Sequence, residues 1–159
     1  MDRKFHKVAV GGTFDLLHRG HICLLRTALK LGDIVAIGLT TDEILQAHPK
    51  NHFVANFSNR RRELDKFLKK SGVINRIQII PLTHPYGTVV TDNEIEALIV
   101  SYETVKRSEE INEIRLKKGF KPVKLIVMDA ILADDGLPIS STRIRRGDID
   151  RNGHVLSGK

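Results

Sequence analysis

The sequence predicts an α/β protein: a single Rossmann-like, doubly wound domain with a five-stranded parallel sheet flanked by helices. Three observations predict it. Short β-rich runs alternate along the chain with amphipathic stretches of helical period. One of those runs, DIVAIGLT (33–40), is almost continuously apolar, as strands buried on both faces of a parallel sheet are. The chain has 159 residues and short connections, which suits one domain with a core of its own.

Each element follows in order. KVAV (7–10) reads as the first strand. HICLLRTALKLG (21–32) sets Ile22, Leu25 and Leu29 at helical spacing and closes on Gly32, a helix with a glycine cap. DIVAIGLT is the second strand. SNRRRELDKFLKKSG (58–72) is a helix with Ser58 as its N-cap and Leu64, Phe67 and Leu68 on its apolar face. RIQIIPL (76–82) is a third strand, with Pro81 marking its end. The turn-rich THPYGTVVTD (83–92) leads to a fourth strand, EALIVS (96–101). TVKRSEEINEIRLKKG (104–119) is a charged helix with Ile111 and Ile114 inward, and VKLIVMDAIL (123–132) is the fifth strand. DDGLP (134–138) is a turn, and SSTRIRRGDID (140–150) opens a final helix on three hydroxyl residues. The domain is expected to span 1–150, followed by a polar tail at 151–159. Phe5, Phe14, Phe53, Phe57, Phe67 and Phe120 read as core or staple residues, Phe14 also as an active-site wall. The single cysteine, Cys23, reads as a small buried apolar residue.

Composition narrows the function classes. Lys and Arg number 26 against 19 Asp and Glu, a net charge of +7 that suits a polyanionic ligand. Aromatic residues make up 5% with no Trp, which leaves little for a base-stacking platform. The basic residues of 60–70 are spaced among Glu63, Asp65 and apolar positions, so they read as a solvated helix face and not as a nucleic-acid patch. No apolar run approaches the ~20 residues that span a bilayer. MDRKFHKVAV lacks the apolar core of a signal peptide, so the expectation is a cytoplasmic protein with no membrane and no nucleic-acid partner.

In doubly wound sheets ligands bind beyond the C-terminal strand ends, near the point where strand order reverses. GGTFDLLHRGH (11–21) follows the first strand and so falls there. Gly11 and Gly12 allow close backbone approach to a phosphate, and Thr13 offers a hydroxyl. His18 and His21 stand three apart at a helix start, on one face, where free N–H groups favour an anion. Phosphate cradle, metal site and structural turn are all open to such a loop. Position 13 is Thr, so G-x-G-x-x-G is absent, and no G-K-[ST] follows the glycines. Zinc would need a third ligand, for which Asp15 is the only near one. The second motif is PISSTRIRRGDID (138–150). Ser140, Ser141 and Thr142 expose hydroxyls at a helix start, and Arg143 can turn a bidentate fork to the same anion. Arg145 and Arg146 read as solvating the helix or pairing with Asp148 or Asp150. Two such motifs at two strand ends could hold one polyphosphate between them. That suggests nucleotidyl transfer, in which positioning and charge neutralisation matter more than a covalent nucleophile.

GGTFDLLHRGH resembles the G-G-T-F-D-x-x-H-x-G-H signature of the nucleotidyltransferase α/β phosphodiesterase superfamily, and ISSTRIR resembles its second motif. GLTTDE (38–43), PYGTVVTD (85–92), VSYETV (100–105), INEIR (111–115) and PISSTRIRRGDID extend the likeness, over nearly the whole chain, to the archaeal-type phosphopantetheine adenylyltransferases. The resemblance implies AMP transfer from ATP to 4′-phosphopantetheine, giving dephospho-CoA and pyrophosphate. It implies Mg²⁺ carried with ATP and no resident metal site, with dephospho-CoA or CoA bound as product or inhibitor. It implies that His18 and His21 contact the ATP phosphates, His21 stabilising the charge that builds on the α-phosphate. Thr13 would hold and orient the acceptor phosphate, and Gly11, Gly12, Phe14 and Asp15 would stand with it among the substrate- and ATP-binding residues. Ser140, Ser141, Thr142 and Arg143 would take the β- and γ-phosphates. Lys50 would be the basic residue of the loop after the second strand, assisted by Arg61 or Arg62. Tyr86, Gly87, Thr91 and Asp92 would shape the pantetheine or adenine pocket, and Ser101, Glu103 and Thr104 the nucleotide side. Leu16 stands where the resembling motif usually has proline. The rival readings are adenylyl or cytidylyl transfer to another phosphorylated acceptor (nicotinate mononucleotide, a polyol phosphate or choline phosphate) and a nucleotide- or RNA-binding module without turnover. PISSTRI is not the R-T-x-G-x-S-T-T form expected of a cytidylyltransferase.

Overall fold

In the computed structural model the described residues are 3–49, 53–101 and 105–156. Five strands, β1 (Phe5–Gly12), β2 (Gly32–Thr40), β3 (Ile77–Leu82), β4 (Ala97–Ser101) and β5 (Lys124–Met128), form one sheet in the order β3-β2-β1-β4-β5. Every pairing in it is parallel. The helices are α1 (Arg19–Leu31), α2 (Asp42–Ala47), α3 (Phe57–Lys70), α4 (Val105–Lys117) and α5 (Ser141–Arg146), with single 3₁₀ turns at Ile74–Arg76 and Gly87–Val90. The chain starts in the middle of the sheet, winds outward to β3, and returns to the other side of β1 at β4. Strand order therefore reverses between β1 and β4, where such sheets leave a crevice.

The doubly wound core follows from strand alternation. Successive side chains of β1 point to opposite faces. Val8 and Val10 pack with Val35, Ile37, Leu25, Leu64 and Leu68. Ala9, between them, joins Leu98, Val100, Val89, Val90 and Ile111 on the other face. Truncating a fully buried leucine such as Leu64 to Ala in a core of this kind costs about 2–5 kcal/mol.

Several boundaries differ from the sequence reading, each for a physical reason. β1 runs on through Gly11 and Gly12, which stay in register with Gly38 and Leu39 of β2. Asn56, not Ser58, caps α3: its side-chain oxygen accepts from Asn59 N at 2.9 Å, and Asp42 accepts from Phe57 N at 2.9 Å. Pro81 lies inside β3, which is an edge strand and so loses no ladder bond to a missing N–H. The short helix α2 follows a readable signal, TTDE, with Thr41 as N-cap and Asp42 and Glu43 in the first turn. β5 stops at Met128 because Asp129 and Ala130 leave the sheet.

Three side chains also part from expectation. Phe53 is 71% exposed and not in the core, while Arg60, expected on a solvated face, is 1% exposed. Cys23 is only partly buried. Of the residues expected to form a polar tail, those to 156 are described: Val155 bridges Ile149, Arg151 O accepts from Arg19 N at 2.9 Å, and Gly153 O from Asp134 N at 2.9 Å. Among the described residues no helix is long and apolar enough to cross a membrane.

Candidate active site

Beyond Gly12 the chain turns sharply, and two non-glycine residues, Phe14 (φ 51°) and Leu16 (φ 50°), adopt the left-handed conformation. That region costs an L-residue about 1 kcal/mol or more and persists only where the surroundings hold it. A proline at position 16 could not take this φ, since its ring fixes φ near −65°. The surroundings do hold the turn. Arg60 Nη1 donates to the Thr13 carbonyl at 2.9 Å. Asp15, 2% exposed, accepts from Ala55 N at 3.2 Å and from Arg145 Nε and Nη2 at 3.0 and 2.8 Å. Ser141 Oγ donates to the Asp15 carbonyl at 2.7 Å.

The two histidines form the start of α1. His18 is the N-cap: its Nδ1 accepts from Gly20 N at 3.0 Å and His21 N at 3.4 Å. His21 Nδ1 in turn accepts from His18 N at 3.2 Å, the reciprocal half of a capping box. The rings stack with centroids 3.7 Å apart, and Phe14 packs tilted against His21 at 5.1 Å. With both Nδ1 atoms accepting from backbone, a neutral ring carries its proton on Nε2. Two Nε2–H donors thus stand side by side at a helix N-terminus. Burial pushes the His18 pKa down to about 4, the nearby Arg151 charge adding to the effect and Asp15 opposing it. Gly20 makes this arrangement possible, because a Cβ there would lie 2.9 Å from His18 Cε1. That constraint explains the glycine between the two histidines, which the sequence reading passed over.

The second motif meets the first through Asp15. Ser140 caps α5 by accepting from Arg143 N at 3.2 Å, and Gly147 closes the helix with a left-handed φ of 79°. Arg143 turns to Asp135 and to the carbonyls of Leu137 and Pro138. Arg145 is the arginine aimed at the first loop, and its guanidinium also lies 4.8 Å from the centre of the exposed Phe53 ring. This corrects the expectation that Arg145 pairs with Asp148 or Asp150.

A cavity of about 600 Å³ opens at the C-terminal ends of β1, β2 and β4. Gly11, Gly12, Thr13, Tyr86, Gly87 and Ser101 line it. Gly20 and Leu24 of α1, and Ile139 just before Ser140, border it, while His18, His21, Ser140, Ser141, Thr142 and Arg143 are not among its lining residues. The Tyr86 hydroxyl bonds to Glu110 of α4. Phe14 is buried in the core under the histidines and does not face this cavity. Nor do Thr91 and Asp92. Lys7 Nζ, near the start of β1, holds Asp92 at 2.5 Å, at the opposite end of the strands from the cavity. Burial raises the Asp92 pKa, but the Lys7 ammonium and the Glu94 N–H outweigh it and leave the carboxyl below its ordinary range. Arg61 pairs with Asp65 at 3.7 Å and Arg62 with Asn59 at 3.2 Å on the outer face of α3. Lys50, Glu103 and Thr104 lie outside the described residues. Among the described residues no group of three or more His, Cys, Asp or Glu could hold a metal ion.

Comparison with known proteins adds four findings. The model of the family described as cytidylyltransferase-like matches residues 9–147. A phosphopantetheine adenylyltransferase of Methanothermobacter thermautotrophicus is 46% identical over 98% of this chain and 93% of its own. One of Methanopyrus kandleri is 46% identical over 92% of each chain. Among solved structures, a protein of unknown function from Archaeoglobus fulgidus superposes with a TM-score of 0.69 at 30% identity, over 84% of this chain and 99% of that one.

Proposed function

The chain belongs to the cytidylyltransferase-like family and, within it, to the phosphopantetheine adenylyltransferases, and from that membership we propose that it transfers AMP from ATP to 4′-phosphopantetheine. An oxygen of the acceptor's phosphate attacks the α-phosphorus of ATP. The bond from that phosphorus to the β-phosphate bridge breaks, and pyrophosphate leaves with dephospho-CoA as the other product. The observation that carries the reading is the joining of both motifs through Asp15, Arg145 and Ser141, beside the cavity that Gly11, Gly12, Thr13 and Ile139 line.

Each residue then has a definite task. The Thr13 hydroxyl, on the cavity wall, holds the acceptor's phosphate in line with the bond to be broken. The Nε2–H groups of His18 and His21 face the α-phosphate, where charge grows most in the transition state. Because the capping bonds fix both rings in advance, little reorganisation accompanies that growth. Ser140 and Thr142 lie toward the β- and γ-phosphates, and Arg143 joins them by releasing Asp135. Mg²⁺ carried with ATP would neutralise part of its phosphate charge. The mostly apolar cavity suits the pantetheine arm, whose amides and methyl groups need shape more than charge.

Pyrophosphate release measured with ATP or CTP against 4′-phosphopantetheine, nicotinate mononucleotide and glycerol phosphate tests the reading. The expected result is turnover with ATP and 4′-phosphopantetheine. Preference for another pair would reassign the substrate. No turnover with any pair, together with salt-sensitive RNA binding, would replace the enzyme by a binding module.

A further inference from the structure

Among the described residues Arg60 is one of the largest fully buried side chains, yet its only acidic partner there, Asp42, has a side chain 41% exposed. Its guanidinium is bonded mainly to backbone. Nε donates to Ala55 O at 2.7 Å, Nη1 to Thr40 O at 2.7 Å and Thr13 O at 2.9 Å, and Nη2 to Asp42 Oδ1 at 3.0 Å. Four separate segments converge on one fork: the turn after β1, the end of β2, the first residue of α2 and the stretch before α3. Packing alone would be met by a leucine at this place, without the desolvation that a buried charge brings. What a leucine could not do is bind three inward carbonyls.

One of those carbonyls matters for chemistry. The peptide between Thr13 and Phe14 is planar, so anchoring its oxygen fixes the whole plane. It thereby sets where the Thr13 side chain stands on the cavity wall and holds Phe14 at its left-handed φ of 51°. On the far side of the same turn, Asp15 is gripped by Arg145 and Ala55. Ala55 is thus shared: its N–H serves Asp15 while its carbonyl serves Arg60.

We propose that Arg60 is a positioning residue of the transfer reaction, acting through the Thr13 carbonyl to set the acceptor's phosphate for in-line attack. The inference rests on the proposed function and on Thr13 as the group that holds that phosphate. It separates Arg60 from the ATP side, because none of its bonds reaches α1 or α5.

The test is steady-state kinetics on Arg60→Lys with ATP binding measured alongside by calorimetry. Lysine keeps the charge but, as a point donor, cannot reach three carbonyls from one fork. For R60K with wild-type circular dichroism, KM for 4′-phosphopantetheine should rise and kcat fall, together lowering kcat/KM for the acceptor about 10- to 100-fold. The ATP dissociation constant should stay within about twofold. Unchanged acceptor constants, or equal weakening of both substrates, would overturn the proposal. Should R60K not fold, Asp42→Asn decides by the same two readings, since its carboxylate grips the same guanidinium. Wild-type protein that releases no pyrophosphate would overturn the proposed function and this inference with it. A wild type that turns over beside an unaffected R60K overturns the inference alone.

Discussion

Arg145 and Asp15, 130 residues apart, meet as a bidentate pair with Nε to Oδ2 at 3.0 Å and Nη2 to Oδ1 at 2.8 Å. This pair fastens the last helix to the first loop, and Ser141 Oγ doubles the link at the Asp15 carbonyl. Neither motif could be positioned alone: the first loop carries two strained residues, and α5 is a six-residue helix. Arg145→Ala leaves a carboxylate that is 2% exposed without its cation. Breaking a buried pair from one side costs about 3–5 kcal/mol, and because the Arg145 side chain is 22% exposed we expect a loss of about 2–3 kcal/mol. Urea unfolding of R145A, D15N and the double variant measures it. The double-variant cycle should show coupling above about 1 kcal/mol, and simple additivity would mean the pair does not hold the loop.

How much of this was legible in the sequence can be judged residue by residue. The sheet was legible because its strands are mostly apolar and its helices other than α2 end on glycine or a basic turn. The two motifs were legible because glycine, histidine and hydroxyl residues stood at helix starts. Arg60 and Arg145 were not. A surface arginine and a buried one look alike in sequence, and only folding shows that Arg60 meets carbonyls and Arg145 meets Asp15. Asp92 failed for the converse reason: it follows a segment whose other end, Tyr86 and Gly87, does line the cavity. One turn of 3₁₀ helix carries the chain from the cavity to the far end of the sheet.

Gly20→Ala tests the histidine arrangement directly. Its Cβ would stand 2.9 Å from His18 Cε1 and 3.0 Å from Nδ1, so the imidazole must turn and its capping bonds lengthen. Loss of an N-cap costs about 1 kcal/mol. The same displacement should lower kcat about tenfold or more, because a donor fixed for the transition state is no longer fixed. Thermal melts and pyrophosphate-release rates give both readings; a normal kcat would show that the ring position is immaterial to the chemistry.

His18 should leave a signature in the pH dependence of stability. Its pKa falls from the ordinary 6.5 to about 4 in the folded protein, chiefly through burial. Between those values the unfolded chain binds a proton that the folded one does not. Stability is therefore fully present above pH 6.5 and declines as pH falls toward 4, by about 3 kcal/mol at most. Asp92, Asp135 and Asp150, all held below the ordinary 3.8, weaken the fold only at lower pH. In His18→Asn the side-chain oxygen keeps the cap while the titrating group is gone. Denaturant unfolding at pH 7, 5.5 and 4.5 should show a flatter profile for H18N than for wild type, and parallel profiles would assign the loss elsewhere.

His21 is the sharpest test of the chemistry. Its Nδ1 accepts from His18 N at 3.2 Å, so His21→Ala removes half of the capping box together with the Nε2–H. His21→Asn separates the two effects, since the asparagine oxygen can still accept from His18 N. If the histidine serves the transition state, both variants should lose kcat about 100- to 1,000-fold, while the ATP dissociation constant moves only a few-fold. Single-turnover rates at saturating ATP, set beside calorimetric ATP binding, make the comparison. H21N with wild-type kcat would confine His21 to capping the helix, and equal losses in kcat and ATP affinity would make it a ground-state ligand.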